Sequence, residues 1–152
     1  MLLLASAGHA AEQDIGREVL AASDGWGSAG SGTTGGAAAD AAHVFTVTNR
    51  QELVAALEGP SSKIVYVAGA IDGNVDDDNR ALACDDYTAA GYSLEGYLAA
   101  YDPSTWGRGT RPTGELEDMR RASQLNQAAR VQIRVGANTT IVGRDKTRGW
   151  SE

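Results

Sequence analysis

The chain of 152 residues has the length of one domain, but with 19 glycines and a single phenylalanine its core must be built from small side chains. Its net charge of -7 is uneven: Met1–Ala100 carries four basic and 14 acidic residues, Tyr101–Glu152 nine and six. An acidic chain with no basic stripe interleaved with aromatic rings is unsuited to nucleic acid, and no apolar run in it is long enough to cross a membrane.

Residues 1–10, MLLLASAGHA, are small and apolar, and Gly8-His9-Ala10 has the small-x-Ala form that precedes signal-peptide cleavage. They are expected to be the tail of a secretory signal whose basic start is missing, so the protein is expected outside the cell. Gln13 to Ala22 has a weakly amphipathic spacing that predicts a short helix. It runs into DGWGSAGSGTTGG at 24–36, which has neither the Gly-Lys-Ser/Thr ending nor the preceding strand of a phosphate-binding loop. This stretch is expected to close over one end of the fold.

His43–Val47 reads as a strand, and both Thr48 with Gln51 and Asn49 with Glu52 fit the capping-box spacing of a helix that ends at Leu57. Leu53, Val54 and Leu57 form its predicted buried stripe, and Gly59-Pro60 stops it. Lys63–Val67 predicts a second strand, with Ala70-Ile71 as a partner run beyond Gly69. Strand, helix, strand in so short a span is a right-handed crossover if the strands are parallel.

Asp72–Tyr92 is a polar excursion. Asp72, Asn74 and Asp76 alternate as in an EF-hand loop, but the sixth position is Asp77 instead of glycine and the twelfth is Ala83 instead of glutamate, so that reading fails and a solvated acidic loop is expected. Cys84, the one cysteine, can form no disulfide within the chain, and the absence of CxxC or HExxH spacing rules out a zinc motif. Lying between Leu82-Ala83 and two aspartates, it is expected to be buried and a slow nucleophile, waiting for a partner outside this sequence.

Leu94, Tyr97, Leu98 and Tyr101 lie at helical spacing and, with Trp106, are expected to be packing residues. The longest helix is predicted over Leu116–Ala129, with Glu115, Glu117 and Asp118 near its start and Arg130 at its end, the sense that complements the helix dipole. Val131, Ile133 and Val135 alternate with Gln132 and Arg134 and predict a strand; Gly136-Ala137-Asn138 then turns into another over Thr139–Val142. Two such strands cannot bury both faces alone, so the chain is expected to be the start of something longer.

Taken together, DGWGSAGSGTTGG at 24–36, VFTVTNRQELVAAL at 44–57, KIVYVAGAIDGN at 63–74, YLAAYDPSTWGR at 97–108 and VGANTTIVG at 135–143 resemble the N-terminal third of secreted bacterial pectate lyases of polysaccharide lyase family 1. The resemblance implies an all-β fold, a right-handed parallel β-helix, of which residues 11–143 supply only the N-terminal cap and first coils, with short capping helices. Residues 144–152 are expected to be a divergent tail. It further implies an enzyme that cleaves polygalacturonate by β-elimination, in which a basic residue removes a proton and calcium on acidic side chains stabilises the anion. In the family those groups follow the NTTIVG segment, so no catalytic, cofactor-binding or metal residue is carried over to this sequence. The expectations are calcium for the parent enzyme, a monomer at full length, and an inactive fragment here. The rivals are a non-catalytic carbohydrate-binding or structural β-helix protein, and a small self-contained binding domain that uses the acidic loop.

Overall fold

Three parallel strands, β1 (Val44–Val47), β2 (Lys63–Ala68) and β3 (Thr139–Arg144), lie side by side in sequence order in the computed structural model, which describes residues 14–30 and 32–144. Among the described residues, 14–48, 52–70 and 135–144 belong to a sheet unit, and 49–51 and 71–134 to a helical unit.

In the sheet unit the register aligns Val44, Ile64 and Thr140 across the three strands, and Thr46, Tyr66 and Val142 two residues on. Because side chains alternate across a strand, these residues share one face and Phe45, Val65 and Ile141 share the other. β2 is central and buried on both sides, with Ile64 and Val65 fully covered; each such side chain contributes about 1.5–3 kcal/mol through burial. Ile64 and Tyr66 pack with Ala39, and Val44 and Val142 lie against that cluster.

Helix α1 (Arg50–Leu57) joins β1 to β2 and buries Ala56 and Leu57. At its start Glu52 accepts from the Thr48 amide at 2.7 Å and the Thr48 hydroxyl at 3.0 Å, a pairing four residues apart that differs from both capping boxes expected from the sequence. Gly59, at φ +77°, takes the left-handed turn that ends it. Lys63 carries out a role its place in a strand did not announce. Only 1% exposed, its ammonium donates to the carbonyl oxygens of Leu57 at 3.3 Å, Gly59 at 2.7 Å and Glu58, the orphan acceptors at the negative end of α1.

In the helical unit, α2 (Leu94–Ala100) is capped by the Ser93 hydroxyl, which accepts from the Gly96 amide at 3.1 Å. Helix α3 (Glu115–Val131) has Glu115, Glu117 and Asp118 in its first turn and Arg130 in its last. The rings of Tyr92, Tyr97, Tyr101 and Trp106 form a row with centroid spacings of 6.0, 4.7 and 4.8 Å.

Five expectations are corrected. The strand predicted over Val131–Val135 is absent: α3 runs on through Val131, and residues 132–136 find no partner strand. The helix predicted from Gln13 to Ala22 shrinks to a 3-10 turn at Ile15–Arg17. Its apolar residues Ile15, Val19 and Leu20 stay exposed, so no packing offsets the cost of nucleating so short a helix. Ala70-Ile71 forms no strand. Leu94 and Leu98 do not pack, being 62% and 61% exposed, whereas Tyr97 of the same helix and Tyr101 just after it pack against each other. β3 extends to Arg144, which therefore belongs to the sheet and not to a tail. Residues 1–10 and 145–152, read as signal and tail, lie outside the described residues.

Candidate functional site

The described residues bring chemistry-bearing side chains together in four places. The first is where the glycine-rich loop meets β3. The Gly36 amide donates to the Thr140 hydroxyl at 2.7 Å, and the Lys63 amide donates to the Asn138 carbonyl at 3.0 Å. A Cβ on Gly36 would fall on the Lys63 carbonyl and one on Gly35 on the Thr140 hydroxyl, so both positions admit only glycine. Asn138 sits at φ +57°, a conformation asparagine tolerates better than most residues. Thus the GTTGG and NTTIVG segments fit each other: one lies flat on the sheet, and the other supplies the turn and the acceptor that hold it there. They line a cleft of about 430 Å³.

The second place is the end of β2 and β3. The Arg144 guanidinium lies 3.5 Å from the centre of the Tyr66 ring, a cation-π contact. The Tyr66 hydroxyl donates to Asp14, whose carboxyl is held below its ordinary range first by that bond and then by the Gly16 amide and Arg17. Burial, then Asp14, pushes the Tyr66 hydroxyl up.

The third is the acidic loop. Its carboxylates serve the loop's own backbone. Asp72 accepts from the Asn74 amide at 2.7 Å; Asp76 accepts from the amides of Asp78 and Arg80 and from the Arg80 side chain. These bonds, the Arg80 amide foremost, lower the Asp76 pKa. Asn74 spends its amide on the Leu82 carbonyl and its oxygen on the Tyr87 hydroxyl. Asp77 pairs with Arg130 at 2.8 Å. Donor oxygens bound in this way do not converge on a cation, and among the described residues no group of three His, Cys, Asp or Glu side chains is placed to hold a metal. The loop carboxylates Asp72, Asp76 and Asp77, each turned to the loop's own backbone or to an arginine, do not fit calcium.

The fourth is the start of α3. Glu117 is nearly buried and accepts from Arg120 at 2.7 and 2.9 Å, from Arg121 at 2.9 Å and from the Tyr97 hydroxyl at 2.9 Å. Arg120, then Arg121, hold its carboxyl far below the carboxylate range, and Glu117 raises the Arg120 pKa in return. From the sequence, Glu117 was a dipole-complementing residue only; the i+3 and i+4 arginines were the signal for the cluster. Cys84 departs from expectation: it opens the 3-10 turn Cys84–Tyr87 and is exposed, because the turn faces its tyrosine inward instead.

The family model described as pectate lyase matches residues 8–94. A pectate lyase of Bacillus subtilis (strain 168) is 49% identical over 133 residues, covering 86% of this chain and 31% of that protein. Pectate lyase E of Dickeya chrysanthemi is 40% identical over 72 residues, 46% of this chain and 18% of that one. Among solved structures, a mutant Bacillus subtilis pectate lyase superposes with a TM-score of 0.83 at 48% identity, covering 87% of this chain and 34% of its own. A pectate lyase bound to a hexasaccharide gives the same score, identity and coverage. The chain spans about a third of the length of these relatives.

Proposed function

This chain belongs to the pectate lyase family, and from that premise we propose that it forms the N-terminal cap and first coils of an exported enzyme that cleaves polygalacturonate by calcium-dependent β-elimination. The fold is that of the first coils of a parallel β-helix, in which each strand is added beside the one before. One observation carries the reading: near-half identity to a pectate lyase over 133 residues, with the loop at 24–36 and the turn at 136–140 interlocked. The apolar opening MLLLASAGHA supports export.

Within that enzyme the described residues build and protect the end of the coil stack. Elimination needs a base beside the sugar proton and positive charge beside the anion that forms. Here Arg120 and Arg121 are bound to Glu117, Arg130 to Asp77, Arg80 to Asp76 and Arg17 to Asp14. These pairings commit the five guanidinium groups to ion pairs that hold the described residues together. The glycine-rich loop packs on β2 and β3, where Gly36 meets the Thr140 hydroxyl and the Lys63 carbonyl, and we assign it the protective role that the end caps of stacked repeats play.

The test is a chimera in which residues 14–144 replace the matching segment of the Bacillus subtilis relative. Release of unsaturated uronate from polygalacturonate, measured with and without calcium, is expected from the chimera and not from the 152-residue chain. A folded, inactive chimera, or calcium-dependent turnover by this chain alone, refutes the reading.

A further inference from the structure

Within the helical unit a pocket of about 330 Å³ opens between the Cys84–Tyr87 turn, the start of α2 and α3. That is at the low end of the roughly 300–1,000 Å³ typical of ligand pockets, a size that suits a ring compound better than a peptide segment. Tyr92 and Leu94 give it apolar wall. The Tyr92 ring is steadied against Tyr97, and Leu94 leaves most of its surface for an occupant to cover.

The polar groups around it divide into spent and open. The Ser123 hydroxyl donates to the Met119 carbonyl and accepts from the Ala89 amide, while Thr88 donates to the Cys84 carbonyl. Arg120 is held by Glu117 through Nε and Nη2, and its Nη1 donates to Gln124 Oε1 at 3.1 Å. What stays open among the described residues is the amide NH₂ of Gln124, the carboxamide of Gln127 and the Tyr92 hydroxyl. Neutral donors and acceptors beside an aromatic ring and a leucine match the hydroxyl edge and the C–H face of a sugar. Charge selects further. The one cation in the wall is already neutralised by Glu117, and Asp85 and Asp86 follow Cys84 in the turn, so an ionised uronate finds no free partner there.

The geometry points to a saccharide site that takes an uncharged pyranose ring, such as an esterified uronate, between Tyr92, Leu94, Gln124 and Gln127. The choice of saccharide rests on the pectate lyase reading; the pocket does not. Cys84 lies in the wall, is exposed and is the sole cysteine, so it reports occupancy without any need for catalysis.

The experiment follows alkylation of Cys84 by iodoacetamide in the full 152-residue chain, by intact mass, with circular dichroism recorded on the same samples. Methyl-esterified oligogalacturonate at twice its dissociation constant is expected to slow the reaction about threefold, by simple occupancy. The de-esterified oligomer at the same concentration leaves the rate unchanged. The double variant Gln124→Ala/Gln127→Ala loses protection with no shift in thermal melting; should it unfold, Gln127→Ala alone, at an exposed position, gives the same reading. Equal rates with and without the esterified oligomer, or protection by the de-esterified oligomer alone, overturn the proposal. Chimera activity does not depend on Cys84, so its loss with protection intact counts against the family reading and leaves this one standing.

Discussion

The amide of Gly36 and the hydroxyl of Thr140 meet at 2.7 Å although 104 residues separate them. Gly36 must also lie flat against the Lys63 carbonyl, where a Cβ has no room. Gly36→Ala is therefore expected to destabilise the sheet unit by about 3 kcal/mol, the upper range for overpacking, because the obstacle is backbone and cannot rotate away. Thr140→Val, which removes only the acceptor, should cost about 1–2 kcal/mol. Urea denaturation of both variants checks the order. Equal effects would show that the hydrogen bond and not the close approach dominates.

Lys63 ties β2 to the end of α1. Lys63→Met keeps most of the stem volume but leaves the carbonyls of Leu57, Glu58 and Gly59 without their donor. The expected loss is about 2 kcal/mol, the cost of unsatisfied partly buried acceptors. Amide exchange should quicken in the last turn of α1 before it does in β2. Unchanged exchange there would remove Lys63 from the capping role.

Glu117 makes the helical unit acid-sensitive. Arg120 foremost holds its carboxyl far below the usual range, so the folded chain binds that proton more weakly than the unfolded chain does. The stability it contributes is complete above about pH 4.3, the ordinary glutamate value, and is lost as pH falls from there toward the depressed folded pKa. Asp14, Asp40, Asp76 and Asp102 are lowered too and act in the same sense. Glu117→Gln is expected to melt earlier at neutral pH and to show a shallower decline on acidification. A variant whose acid limb parallels the wild type would contradict this.

β3 has no strand partner on its outer edge among the described residues, and Ile141 is 44% exposed. Exposed apolar edge strands recruit other chains. The 152-residue chain is expected to self-associate as its concentration rises, and Ile141→Lys to suppress this, as sedimentation velocity would show. A wild type that stays monomeric throughout would mean that the edge is already covered.

What could be read from the sequence was what neighbouring residues decide. β1, α1 and β2 were legible because alternation, a polar start that includes Glu52 and the Gly59-Pro60 stop all act within a few residues, and α2 and α3 for the same reason. Val131–Val135 misled because alternation is a property of five residues, while a strand also needs a ladder, which the fold does not provide there. The helix expected from Gln13 failed on the same ground, for want of a face to pack on. Among candidate sites, the Glu117 cluster lay within one helical turn and could have been found from Arg120 and Arg121. The pocket at Cys84 could not: it depends on a turn and a helix 30 or more positions apart in the chain meeting side by side.

The bond between Gly36 and Thr140 also sets an order of events in folding. β1, α1 and β2 can assemble from contacts close in sequence, but the glycine-rich loop has its hydroxyl partner only once the chain has closed a span of 104 residues. Closure of long spans is entropically costly and slow relative to local pairing. The loop that covers the sheet thus leaves the ribosome well before β3 and is ordered only after it, and any delay in placing β3 lengthens the time for which the buried face of β2 stands open to proteases and to other chains.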